Sequence, residues 1–182
     1  LGFLTDIQTD NLELRLSEVL NGNYVLDKRT FLQASVDSKK LDSIAFNEIV
    51  LHSGSVAKMI EFSLFINDSF VYSQKADGLI IFSPTGSTAY SLSGGGPLVD
   101  PDLDLIGVMP MFPHSINTTP ILINDNKEIR IELSNIQNNK NSELSFDSQI
   151  NIKLKETSIV TISKSEYKLS LVHPLDDDFF KG

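Results

Sequence analysis

The 182-residue sequence contains no cysteine and no tryptophan. Without thiols it has neither disulfides nor thiolate metal sites, which is compatible with a reducing cytoplasm. It also lacks an excess of positive charge. Fifteen Lys and Arg stand against 24 Asp and Glu, a formal net charge of -9, and no basic cluster occurs. Nucleic-acid binding rests on Lys and Arg displacing counterions from phosphates, so the composition argues against DNA and RNA and leaves small phosphorylated ligands open. No apolar run approaches the ~20 residues of a membrane-spanning helix, and the opening LGFLTDIQTD has neither the basic end nor the apolar centre of a secretory signal. No membrane partner is expected. The chain starts on Leu1 rather than Met, and LGFLTD reads as a strand entered partway, which points to a segment of a longer protein. What is present, 41% hydrophobic and 21% charged residues, suits a soluble globular chain with a real core.

One long amphipathic helix is predicted. In TDNLELRLSEVLNG, Leu12, Leu16, Val19 and Leu20 recur at helical spacing; Thr9 or Asp10 is placed to cap the start and Gly22 suits the exit. Most of the remainder alternates with period two. EFSLFIND sets Phe62, Leu64 and Ile66 on one face before a turn begins at Asn67 and Asp68. EIRIEL, ELSF, INIKL, SIVTIS and YKLSLVH repeat the pattern, and NIQNNKNSE reads as a polar hairpin loop. About ten short strands with close turns predict a mainly β, sandwich-like domain over residues 1–182. The N-terminal helix and a short helix after the Pro84-Thr85-Gly86-Ser87-Thr88 loop are additions to it.

The least ordinary stretch is SPTGSTAYSLSGGGPL, Ser83 to Leu98. It follows LIIF, Leu79 to Phe82, a continuous apolar run of the kind a strand buried on both faces requires. Pro84 ends that run, and Thr85, Gly86 and Ser87 offer capping oxygens to the first turn of TAYSLS. A helix start carries unpaired N–H groups and partial positive charge, which suits phosphate, ribose hydroxyls or an adenine edge. Glycine admits a ligand close to the backbone, and hydroxyls add donors without bulk. A capped helix with a glycine-rich turn and no ligand fits the same residues. The stretch is not a nucleophile elbow, because Ser87 directly follows Gly86, and no Gly-Lys-Ser/Thr marks a P-loop.

AFNEIVLH, Ala45 to His52, is a second candidate. In a regular strand Asn47 and Glu48 interrupt opposite apolar faces, so both reach one ligand only if the strand ends or bulges there. An edge strand with two solvated side chains is the alternative. Asp77-Gly78 before LIIF reads as a strand-entry turn, Lys58 and Lys75 as surface lysines, and Gln149 as part of a hairpin turn. His52, His114 and His173 form no metal-ligand pattern, and Asp176 to Asp178 read as a solvated tail.

Together these pieces resemble bacterial NAD kinases, the ATP- or polyphosphate-dependent enzymes that make NADP. LGFLTD, FNEIVLH, DGLIIFSPTGSTAYSLSGGGP, MPMFPHS, FDSQ and LVHP occur in the family's order over essentially the whole chain. The resemblance implies the all-β C-terminal domain of a two-domain enzyme, in the cytoplasm, acting on NAD with ATP or another donor and Mg²⁺ or another divalent metal. It implies that Asn47 and Glu48 hold the adenosine part, that Thr85, Thr88, Ala89, Tyr90, Ser91, Leu92 and Ser93 line the pocket, and that Asp77 meets the other nucleoside. Lys58, Lys75 and Gln149 lie around the site, and a homodimer or homotetramer completes it. The family's Gly-Gly-Asp-Gly motif, whose Asp serves as general base from a separate α/β domain, matches nothing in these residues. No catalytic residue and no metal ligand is therefore assigned here, and the chain is expected to be inactive alone. The alternatives are the equivalent domain of a diacylglycerol-type lipid kinase, whose acceptor site is apolar, and a non-catalytic NADP-binding module.

Overall fold

A computed structural model describes residues 9–55, 58–114, 119–134 and 139–175. The opening LGFLTD, part of the NIQNNKNSE loop and Asp176 to Asp178 lie outside the described residues. The chain divides into two compact units, residues 30–167 and residues 1–29 with 168–182.

A 3₁₀ turn at Thr9–Asn11 leads into α1 (Leu12–Leu20). The strands that follow are β1 (Val25–Val36), β2 (Lys39–Ala45), β3 (Glu48–His52), β4 (Ile60–Ile66), β5 (Ser69–Ala76) and β6 (Gly78–Phe82). A 3₁₀ turn at Thr85–Thr88 precedes α2 (Tyr90–Ser93). Then come β7 (Leu105–Met111), β8 (Ile121–Asn124), β9 (Ile129–Leu133), β10 (Glu143–Phe146), β11 (Ile150–Lys153) and β12 (Ile159–His173).

In the larger unit the expected sandwich forms. One six-stranded sheet runs β2-β1-β12-β9-β4-β5 and the other β11-β10-β3-β6-β7-β8; β1 and β12 contribute residues 30–36 and 159–167 to this unit. Ile60, Phe62, Leu64, Ile129 and Ile131 of the first sheet share one core with Ile49, Leu51, Leu79, Ile81 and Phe146 of the second. Alternation along LIIF sends Leu79 and Ile81 into that core, while Ile80 and Phe82 join Val50, Val99 and Met109 on the outer face. β6 is thus buried on both faces, as its continuous apolar run predicts. Only Asp77 separates β5, an edge of the first sheet, from β6 inside the second, so Asp77 is the residue at which the chain changes sheets.

Three turns fix hairpin registers with positive φ at both central residues: Asp37-Ser38, Asn67-Asp68 and Asp147-Ser148. Each starts with Asp or Asn, the non-glycine residues that best tolerate the left-handed region. SIVTIS and YKLSLVH, read as two strands, are one 15-residue strand, because Lys164, Ser165 and Glu166 contain no breaker.

In the smaller unit α1 forms, but neither Thr9 nor Asp10 caps it. Asn11 occupies the N-cap without a side-chain hydrogen bond, because the 3₁₀ turn displaces the start. The exit follows the prediction: Gly22 has φ +86°, its N–H donates to the Val19 carbonyl, and the Asn23 N–H donates to that of Glu18, a Schellman closure. None of the nine α1 residues is buried. Asp27 pairs with Arg29 and approaches His173. Among the described residues no helix is long and apolar enough to cross a membrane.

Candidate functional site

The strand carrying Asn47 and Glu48 does break. β2 ends at Ala45 and β3 begins at Glu48, so Phe46 and Asn47 form a bend between them. The carboxylate of Asp147 accepts the N–H groups released there: Oδ2 takes that of Phe46 at 2.7 Å, and Oδ1 those of Asn47 and Glu48 at 2.8 and 3.0 Å. Asp147 returns its own N–H to the Glu48 carbonyl at 3.0 Å. On the other side the Ser83 N–H donates to the Asn47 carbonyl at 2.9 Å and its hydroxyl to that of Phe46 at 2.6 Å. The edge-strand alternative fails, since β3 lies inside its sheet and Glu48 is only 4% exposed.

The Pro84–Thr88 turn lies directly on this bend. A Cβ at Gly86 would stand 2.0 Å from the Asn47 carbonyl oxygen, so only glycine permits the approach. The hydroxyls of this turn do not cap a helix, contrary to the expectation from sequence. Thr85–Thr88 is a separate 3₁₀ turn, the chain breaks at Ala89, and neither it nor α2 has a side-chain cap. The hydroxyls have other partners. Ser83 Oγ accepts the Gly86 N–H at 3.2 Å, Thr88 donates to the Thr85 carbonyl at 3.1 Å, and buried Ser91 donates to that of Gly86 at 2.9 Å. Ser87, fully buried, accepts the Val99 N–H at 3.1 Å and donates to its carbonyl. Ser87→Ala should therefore leave a buried N–H unpaired and lower stability by about 1–3 kcal/mol, to be measured by urea unfolding.

Glu48 is the electrostatic centre. Burial, reinforced by the Asp147 charge and opposed by the Tyr90 backbone N–H, pushes its carboxyl up to about 7. Its Oε2 is buried with no hydrogen-bond partner among the described residues. The Tyr90 backbone N–H at the start of α2 is near enough to Glu48 to favour its ionised form.

A cleft of about 540 Å³ opens between β3, β10 and α2, within the range of small-molecule sites. Of the predicted residues Lys58, Asp77 and Tyr90 line it, together with His52, Glu143 and Met111. A second cavity of about 470 Å³ shares Tyr90 and Met111 and adds Ser93, Met109 and Phe112. Phe112 is 75% exposed with φ +43°. Thr88 and Ala89 are half-buried, Thr85 is buried and Leu92 is exposed. Asn47, Glu48, Thr85, Thr88, Ala89, Ser91 and Leu92 line neither the cleft nor the second cavity, and Lys75 and Gln149 also stand apart from both. Lys75 pairs with Glu61 at 3.3 Å across β4 and β5, and Gln149 lies exposed in the β10–β11 turn, next to Ser148, which does line the cleft. Sequence reasoning missed Asp147, although FDSQ contains it, and the cross-strand pair His52 and Glu143, which only the register of β3 on β10 brings together. Among the described residues no three His, Asp or Glu side chains gather to hold a metal.

Comparison with known proteins gives one consistent outcome. A family profile described as the ATP-NAD kinase C-terminal domain matches residues 46–174. The NAD kinases of Escherichia coli (strain K12 / DH10B) and Shigella boydii serotype 18 are each 48% identical over 183 residues, covering 99% of this chain. The chain spans 62% of the length of these relatives. The crystal structure of yeast NADH kinase complexed with NADH shares the fold, with a TM-score of 0.87 and 24% identity over 99% of this chain and 55% of that one. An NAD kinase from Archaeoglobus fulgidus in complex with ATP has a TM-score of 0.80 and 26% identity, over 99% of this chain and 67% of its own.

Proposed function

The chain belongs to the ATP-NAD kinase C-terminal domain family, and we propose that it is the dinucleotide-binding part of an NAD kinase, which phosphorylates the adenosine 2′-hydroxyl of NAD from ATP or another donor. The observation that supports this most is the meeting of Asp77 and Tyr90 at one cleft beside the Asn47-Glu48 bend, with polar groups for two nucleosides. In this reading Asn47 and Glu48 accept and donate to the adenosine half, and Asp77 meets the second nucleoside. Thr85, Thr88, Ala89, Tyr90, Ser91, Leu92 and Ser93 form or support the wall between them. Lys58 offers a cation to the pyrophosphate, with Lys75 and Gln149 at the periphery.

Phosphoryl transfer depends mainly on positioning and charge neutralisation. This chain supplies positioning, a contribution that reaches several kcal/mol when a near-attack geometry is fixed. The base that removes the hydroxyl proton comes from the α/β domain outside these residues. A divalent cation would serve to neutralise charge on the donor's phosphates, and none of the described residues is assigned to hold it. A cytoplasmic homodimer or homotetramer completes the reading.

The test is calorimetric titration with NAD. Asn47→Ala and Asp77→Ala should each weaken binding by about tenfold, the loss of roughly one hydrogen bond to a ligand polar group, with circular dichroism unchanged. Parental affinity in both variants would overturn the assignment.

A further inference from the structure

We infer that Asp147 is the positioning residue of this site: its carboxylate locks the backbone of residues 46–48 and so aims Asn47 and Glu48 at the dinucleotide. The inference rests on the dinucleotide reading above.

A bend between two strands releases N–H groups from the ladder, and in a half-buried place each needs a partner. One carboxylate supplies all three acceptors, at 2.7, 2.8 and 3.0 Å, and bonds to a charged acceptor are the stronger kind. The amide and carbonyl of Glu48 both end on Asp147, while the Asn47 amide ends on Asp147 and its carbonyl on Ser83. Neither peptide can turn without breaking bonds on two sides. Asp147 reaches this position because its φ of +48° opens the turn between β10 and β11. Gln149, singled out from the same FDSQ motif, is exposed and makes no such contact.

The charge of Asp147 acts on the same neighbour. It helps burial hold the proton on Glu48, against the Tyr90 amide. On the neighbouring strands β6 presents Phe82 opposite Glu48, and β10 presents Phe146 opposite Ile49. His52, Lys58, Asp77, Tyr90 and Glu143 are the titratable groups of the adjoining cleft. Asp147 therefore fixes where the Asn47-Glu48 pair points and adds to burial, the larger cause, in keeping Glu48 protonated.

The test is Asp147→Asn, because Asn tolerates positive φ yet loses the charge and one of the two acceptor oxygens. Two readouts are taken on the whole protein: NAD affinity by calorimetry, and the ¹³C signal of the Glu48 carboxyl without ligand, between about pH 5 and about pH 9. NAD affinity should fall by about tenfold, and the Glu48 midpoint should move to lower pH than in the parent. A folded variant with parental affinity and an unmoved midpoint overturns the inference, even if its melting temperature falls, since that describes a purely structural residue. Should the variant not fold, the parent decides: the amides of Phe46, Asn47 and Glu48 should exchange with deuterium together, as one cooperative unit, and independent exchange overturns the inference. Failure of the parent to bind NAD overturns the functional reading and this inference with it. NAD binding by the parent with an unchanged variant overturns the inference alone.

Discussion

Gly86→Ala is expected to weaken dinucleotide binding by about hundredfold and to destabilise the larger unit by about 3 kcal/mol, the upper range of overpacking costs. The reason is steric, not conformational. The added carbon would lie 2.0 Å from the Asn47 oxygen, 2.6 Å from its carbonyl carbon and 3.0 Å from its Cα. All three are backbone atoms, so no side chain can swing aside. Nor can the bend retreat, because Ser83 holds its carbonyls and Asp147 its amides. The Pro84–Thr88 turn must lift away, carrying Tyr90 from the cleft. A misplacement near 1 Å at such a site costs about hundredfold. Thermal unfolding with NAD titration checks both parts, and a variant close to the parent in either contradicts the packing described.

Glu48→Gln should make the protein more stable at alkaline pH while weakening its grip on NAD. The sign follows from proton counts. The folded carboxyl titrates at about 7 against an ordinary 4.5, so between those values the folded protein keeps a proton that the unfolded chain releases. Stability is greatest below about pH 4.5, as far as Glu48 is concerned, falls as pH rises through about 7, and levels off above. A carboxyl displaced that far carries on the order of 3 kcal/mol of penalty at pH 8. Gln keeps the shape and removes the charge, so its urea-unfolding free energy should lack this decline and exceed the parent's by about 2 kcal/mol near pH 8. Affinity for NAD should drop by about tenfold at that pH, because an ionised acceptor is replaced by a neutral one. A parent whose stability does not decline through this window would contradict the burial of Glu48. Retaining such a group at a cost in stability is typical of a binding site.

What was legible in the sequence depended on whether the controlling contact was local. LIIF ended by Pro84 marks a doubly buried strand, and Asn67-Asp68 marks a turn, because each signal lies within the element itself. The conflict at Asn47 and Glu48 was also legible, since period-two alternation places them on opposite faces and lets both reach one ligand only if the strand ends or bulges there. Its resolution was not: the partner, Asp147, lies 100 residues from Asn47 and depends on the β3–β10 register. The serines of the Ser83–Ser93 stretch misled for a related reason. They offer capping oxygens locally, but the adjoining bend and Val99 compete for the same hydroxyls and win through burial. Similarly, the Leu12, Leu16 and Leu20 stripe announces a helix correctly without saying what lies against it.

A crystal structure of the protein grown with NAD decides whether this cleft is the dinucleotide site. The dinucleotide is expected in the cleft walled by Asp77 and Tyr90, with Asn47 and Glu48 within hydrogen-bond reach of one nucleoside. NAD seated on another surface, or this cleft holding only water at saturating NAD, would contradict it.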